Sequence, residues 1–138
     1  MKSIVATAAR KDIKFREVMT FPTGGKLREE RLKRAEDMVT KNFYGYQLRY
    51  YDIDHQTAPP LIQFIVIDCQ EVITTFYRGT KLPIEGETYL ASRHPLTVRF
   101  FQDYYDTIWQ GATVIKAAGV PANTEVLQRI RQQTSVEK

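Results

Sequence analysis

The sequence predicts an α/β (α+β) domain, a mixed β-sheet packed by helices. Three observations lead there. Short β-branched and aromatic runs share the chain with two long runs of helical period. Gly and Pro fall singly or in pairs between the periodic runs, where turns belong. With 138 residues, 43% hydrophobic and 26% charged, the chain has enough apolar material for a core that needs neither disulfides nor a metal. No repeat, low-complexity stretch or linker interrupts it, so residues 1–138 read as a single domain.

A short helix is expected near Ser3–Lys11. Lys14–Phe21 alternates in part, through Phe15, Val18 and Phe21, and reads as a strand. Phe21-Pro22-Thr23-Gly24-Gly25 stops it. Residues 26–41 are rich in Leu, Arg, Glu, Lys and Ala without a breaker and predict a helix. Leu32, Ala35, Met38 and Val39 form its inner stripe. Tyr46–Ile53 is a second strand, and the Pro59-Pro60 pair fixes a loop over His55–Pro60. Leu61–Cys69 is the most apolar run and predicts a central strand buried on both faces. Glu71–Arg78, β-branched and aromatic, follows almost directly, so the two runs predict a hairpin turning at Asp68–Glu71. Gly79–Gly86 is a loop and Glu87–Ala91 a short strand. Pro95 suits a first helical turn, capped by His94 or Ser92. That helix runs to about Ala112, and Phe101, Tyr104, Tyr105, Ile108, Trp109 and Ala112 give it an aromatic inner face. Such a stripe is read as core against a sheet rather than as a stacking platform for bases. Thr113–Ala117 is a last strand. Val126, Leu127 and Ile130 mark a terminal helix that frays through Gln132–Lys138.

The net charge of +4 is unevenly spread. Residues 1–41 hold 11 Lys/Arg against 6 Asp/Glu, and residues 42–138 hold 9 against 10. The basic helix 26–41 carries Lys26, Arg28, Arg31, Lys33 and Arg34, which makes it a candidate surface for nucleic acid or phosphate. The acids Glu29, Glu30, Glu36 and Asp37 are interleaved with these bases, the pattern of an ordinary solvated face. No run approaches the roughly 18–20 apolar residues that span a bilayer. The N-terminal MKSIVATAARK lacks the long apolar region of a signal peptide, and Ala6–Arg10 is too short for an anchor. The one cysteine, Cys69, sits in an apolar run and reads as a buried, inert thiol. These features lead to the expectation of a cytoplasmic chain without cofactor or metal.

Three arrangements bear on chemistry. Thr23-Gly24-Gly25-Lys26 lies between a strand and a helix, where backbone N–H groups can cradle phosphate. It departs from G-x-x-x-x-G-K-[ST], with Thr20 at the first glycine position and Leu27 after the lysine, and reads as a turn. Asp52-x-Asp54-His55 carries ligand-type side chains, yet a metal needs three or four that converge, so a hydrogen-bonded loop is the reading. His55 and His94, the only histidines, are a candidate acid–base pair for an enzyme of another class, although no triad, G-x-S-x-G or H-E-x-x-H is present.

One segment is similar to a known family. Leu61-Ile62-Gln63-Phe64-Ile65-Val66-Ile67-Asp68 falls on the H-x-K-x-x-x-x-D spacing of phospholipase D-type phosphodiesterases. FIVIDCQEVITTFYRGT resembles the strand–turn–strand that follows the family's lysine. HPLTVRFFQDYYDTIWQGA resembles its next helix. The likeness runs from about Leu61 to Ala112, under half of the chain. In the family the histidine attacks phosphorus, the lysine holds phosphate oxygens and the aspartate supports them. Here Leu61 and Gln63 stand at the first two positions and only Asp68 is kept. Leucine is no nucleophile and glutamine carries no charge, so the resemblance implies a catalytically degenerate member. Some degenerate members serve as regulatory or sensing domains in bacteria. The likeness further implies a regulatory, ligand- or partner-binding role, a homodimer or partner protein, and no catalytic residues. The ligand or phosphate candidates are Asp68, Arg78, Arg93 and His94. Asp68 by itself also reads as a turn residue capping backbone N–H groups.

Overall fold

A computed structural model describes residues 13–21, 25–51, 62–76 and 88–135. The expected helix near Ser3–Lys11, the residues Asp52, Asp54, His55, Leu61 and Arg78, and the loop Gly79–Gly86 lie outside them. The described elements, in chain order, are β1 (Phe15–Thr20), α1 (Gly25–Thr40), β2 (Tyr46–Tyr51), β3 (Ile62–Ile67), β4 (Glu71–Phe76), β5 (Thr88–Ser92), α2 (Pro95–Gly111), β6 (Thr113–Lys116) and α3 (Thr124–Ser135). This is an α+β chain with two three-stranded sheets, β1-β2-β6 and β3-β4-β5, where the sequence led to the expectation of one mixed sheet. Among the described residues no helix is long and apolar enough to cross a membrane. The chain divides into two compact units, Met1–Ile53 with Gly111–Lys138, and Asp54–Gln110.

In the first unit β1 and β2 run parallel, with Phe15 opposite Tyr46 and Thr20 opposite Tyr51. Parallel neighbours need a crossover, and α1 supplies it. β6 joins β2 antiparallel, with a register shift at Leu48/Arg49. The expected stripe Leu32, Ala35, Met38 and Val39 is buried, together with Met19, Phe21, Tyr46, Leu48, Ile115, Val126, Leu127 and Ile130. The 3.6-residue period of α1 and the two-residue period of β2 therefore meet on one core. Helix α1 ends where Asn42 turns to φ 47°, and its N–H donates to the Val39 carbonyl at 3.2 Å. Asparagine follows glycine as the residue that tolerates this left-handed cap. Helix α3 starts at Asn123, whose Oδ1 accepts from the Val126 N–H at 3.4 Å, the N-cap arrangement.

In the second unit the pairings among the described residues are antiparallel. Ile67 opposes Glu71 in the β3–β4 hairpin, and Val72 opposes Ser92 between β4 and β5. The expected turn at Asp68–Glu71 is where the chain reverses. Val72, Thr74, Val98 and Trp109 are buried. Phe64 packs against three rings of α2, with centroids 5.0 Å from Phe101, 5.9 Å from Tyr104 and 6.3 Å from Tyr105. The aromatic face of α2 is core against the sheet in part, as its spacing predicts: Phe101, Tyr105 and Ile108 are half-buried and Trp109 is buried, whereas Tyr104, although near Phe64, is 43% exposed. Two expectations are corrected. β3 is an outer strand of its sheet rather than a central one, with β4 in the middle. Its consecutive apolar side chains alternate between the two faces, with Phe64 packed toward α2 and Ile67 exposed, and strand order is not written in hydrophobicity. Cys69 is exposed rather than buried, because it sits in the turn of the hairpin and not within the strand.

Candidate functional site

The β3–β4 turn and the start of α2 frame an open depression of about 580 Å³ in the second unit, lined by Cys69, Gln70, Arg93, Val98, Arg99 and Gln102 among others. The turn is built from two left-handed residues, Asp68 at φ 49° and Cys69 at φ 55°. It is closed by the Gln70 N–H, which donates to the Ile67 carbonyl at 2.9 Å. Aspartate tolerates this region; cysteine rarely adopts it, and the backbone there is strained. On the other side, Pro95 opens α2 without an N–H to lose. The Val98 N–H donates to the His94 carbonyl at 3.0 Å, so His94 occupies the cap position, and its own N–H donates to Ser92 Oγ at 3.2 Å. Of the two expected alternatives, His94 holds the cap position, and Ser92 braces it from outside the helix.

The depression is bordered by two guanidiniums with long ion pairs. Arg93 Nη2 lies 3.3 Å from Glu71 Oε2, and Arg99 Nε lies 3.9 Å from Asp103 Oδ2. Both arginine side chains are about four-fifths exposed. Pairs this open contribute at most about 1 kcal/mol and exchange readily for another anion. Gln102 reaches across to the turn, its amide donating to Cys69 Sγ at 3.2 Å. The first turn of α2 adds the positive end of a helix dipole, which favours anions. Mixed charge, exchangeable ion pairs and an adjacent amide suit reversible binding of a small oxyanion.

Of the candidates from the family likeness, Arg93 lines the depression. Asp68 is exposed in the turn beside it and His94 is exposed at the cap. Arg78 and Leu61 lie outside the described residues, and so does the side chain of Gln63. His55 is outside them as well, so no geometry joins it to His94. Arg99 and Gln102 were missed by the sequence reading. Their signal is the spacing Pro95, Arg99, Gln102, one helix face leading back to the cap. Among the described residues no group of three His, Cys, Asp or Glu is placed to hold a metal.

The basic helix is organised differently from the expectation. Arg28 is buried, and its Nη2 donates to the Ile130 carbonyl at 2.7 Å, tying α1 to α3. Arg31 Nη1 donates to the carbonyl and hydroxyl of Thr20 at 2.7 and 2.8 Å. Arg34 pairs with Glu17 at 2.6 Å. Glu17 points into the first unit between Phe15 and Met19, and it also accepts the buried Tyr46 hydroxyl at 2.7 Å. A carboxylate there must be satisfied by charged or hydroxyl donors, and it is. Three arginines of α1 therefore stitch the fold rather than forming an outward basic row. Lys33 is exposed, and the side chain of Lys26 lies outside the description. Lys116 is a further buried cation; its ammonium donates to the carbonyls of Ala117 and Val120, each at 3.2 Å. Burial lowers its pKa from the usual lysine value.

Comparison of the chain with protein-family models, with curated proteins and with solved structures finds no match.

Proposed function

We propose that this chain is a non-catalytic, phospholipase D-like regulatory domain that works by binding an anionic, phosphate-type ligand or a partner that carries one. The observation that supports this reading is the pair of exposed arginines, Arg93 and Arg99, on one depression beside the β3–β4 turn. In phospholipase D-type enzymes the equivalent strand and turn carry the phosphate chemistry. Here the nucleophile position is Leu61 and the lysine position Gln63, so in this reading the family's turnover is lost and Arg93 and Arg99 take over the holding of the anion.

The test uses inorganic phosphate and a chromogenic phosphodiester, bis(4-nitrophenyl) phosphate, as probes. Binding of phosphate is followed by calorimetry, and release of nitrophenol by absorbance. Both Arg93→Ala and Arg99→Ala weaken phosphate by about tenfold, the scale of one lost charge-assisted hydrogen bond. Phosphate binding that ignores both substitutions removes the site. Phosphodiester turnover above background that disappears in Asp68→Ala removes the non-catalytic reading.

A further inference from the structure

Helix α2 carries more apolar surface than its sheet covers. Phe101, Tyr105 and Trp109 turn toward the interior of the second unit. Leu96, Phe100 and Tyr104, spaced i, i+4 and i+8, form a second stripe that is exposed, Leu96 to 72% and Phe100 to 65%. At 3.6 residues per turn this spacing keeps the three side chains on one narrow line along the helix. The rings of Phe100 and Tyr104 are nearly coplanar in orientation, 3° apart, and stack at 6.4 Å. An ordered aromatic row left in water is the signature of a surface that meets something.

The charges beside the stripe identify the occupant. Arg99 and Asp103 lie on the same flank, both mostly exposed, and their mutual contact along the helix is long, 3.9 Å. When two identical helices pack antiparallel through one face, a two-fold axis lays each flank against its own copy, reversed in direction. An axis passing near Phe100 then sets Leu96 of each copy against Tyr104 of the other. It also brings Arg99 of each against Asp103 of the other. The stripe is thus complementary to itself in shape order and in sign of charge. A membrane surface fits less well, because Asp103 would face anionic headgroups.

We propose that a second copy of this chain docks on the Leu96–Phe100–Tyr104 stripe, α2 against α2, antiparallel. Two Arg99–Asp103 pairs fix its direction. Because a single helix face is small for an interface, the dimer is weak, with dissociation on the order of micromolar. This proposal does not rest on the anion-binding reading, but Arg99 and Asp103 border both the stripe and the depression, so Arg93 is the residue that separates the two.

The experiment is sedimentation velocity on the full chain, from about 1 to about 500 μM, the range a weak interface requires. The expected result is a concentration-dependent shift from the 16.0 kDa chain to twice that mass. Phe100→Glu raises the dissociation constant by about a hundredfold or more, as removal of a central aromatic contact does. Arg99→Asp raises it by roughly tenfold, because like charges then oppose one another twice. The double exchange Arg99→Asp with Asp103→Arg returns it close to the original. Circular dichroism confirms that these exposed-site variants are folded. Arg93→Ala leaves the mass unchanged, so failure here is separable from failure of the anion site. A monomer across the whole range overturns the proposal. So does a dimer indifferent to Phe100→Glu, or one that the double exchange does not restore. A monomer that instead binds anionic phospholipid vesicles through Phe100 also overturns it.

Discussion

In the first unit, helices α1 and α3 give the sheet mostly aliphatic side chains and cover them, and the gaps between elements are sewn with arginine. Arg28 reaches the Ile130 carbonyl, Arg31 reaches Thr20, and Arg34 reaches Glu17. In the second unit one helix faces one hairpin sheet through rings, Phe64 against Phe101, Tyr104 and Tyr105, and leaves a second row of apolar side chains in water. Three cations of α1 in the first unit, Arg28, Arg31 and Arg34, are turned to backbone and carboxylate. Those lining the depression of the second, Arg93 and Arg99, are turned outward and held by long pairs. Charge density in the sequence therefore does not by itself mark where the open arginines lie. The basic segment builds scaffold, and the nearly neutral segment carries the groups free to exchange partners.

The largest expected effect breaks this contrast with a single side-chain truncation made in each unit. Leu48, with no exposed surface, sits in the first core; Leu96 is largely in water. Leu48→Ala loses apolar burial and leaves a cavity, at a cost of about 2–5 kcal/mol. Leu96→Ala changes folding stability by less than about 0.5 kcal/mol. Urea unfolding followed by circular dichroism at a concentration where the chain is monomeric separates the two. Equal losses would mean that Leu96 is part of a folded core, and the contrast between covered and uncovered faces would fall.

Next in size is the polar network of the first unit. Glu17→Ala removes the carboxylate that Arg34 and the buried Tyr46 hydroxyl share. The cost is about 1–3 kcal/mol, chiefly the unmet hydrogen-bonding of groups that stay behind. The matched change in the second unit, Glu71→Ala, frees the exposed Arg93 and costs no more than about 1 kcal/mol. The same unfolding measurement reads both. A Glu71→Ala loss as large as that of Glu17→Ala would mean that Arg93 is a structural cation like those of α1.

Much of the first unit was legible in its sequence, because its signals are local. The stripe Leu32, Ala35, Met38, Val39 has a helix period, and all four residues are buried. The same period, read one turn further back, places Arg28 on the apolar face, which shows why an arginine there is internal. In the second unit the hairpin turn and the Pro95 start were legible for the same reason. The place of β3 was not, since an apolar strand reads alike at the edge and in the centre of a sheet. Cys69 was misread because its neighbours in sequence are apolar, whereas exposure follows from the turn it occupies. The depression joins the β3–β4 turn and the start of α2 from residues about thirty apart, and no local pattern announces such a meeting. Arg93 came into view only through the family likeness, and Arg99 and Gln102 through the structure.

The smallest expected effect sharpens the comparison at the backbone. Both units contain residues in the left-handed region, filled in opposite ways. The first uses Asn42 and Gly119, the residue types that this region accepts; the second uses Asp68 and Cys69. At Gly119, φ 66°, an added Cβ would lie 2.9 Å from Tyr44 Cε2, and the Tyr44 ring is exposed and free to swing. Gly119→Ala therefore costs about 1 kcal/mol, mostly for the backbone conformation. At Cys69, φ 55°, the change runs the other way. Cys69→Gly removes about 1–2 kcal/mol of left-handed strain and gives back part of it through the freer unfolded chain. The net gain is about 0.5 kcal/mol, visible as a higher urea midpoint. Because glycine also lacks the Sγ that accepts from Gln102, the variant reports on the depression as well. Higher stability with weaker phosphate binding means that the cysteine is kept for the site at the expense of the fold. Higher stability with unchanged binding means that the strain serves only the turn.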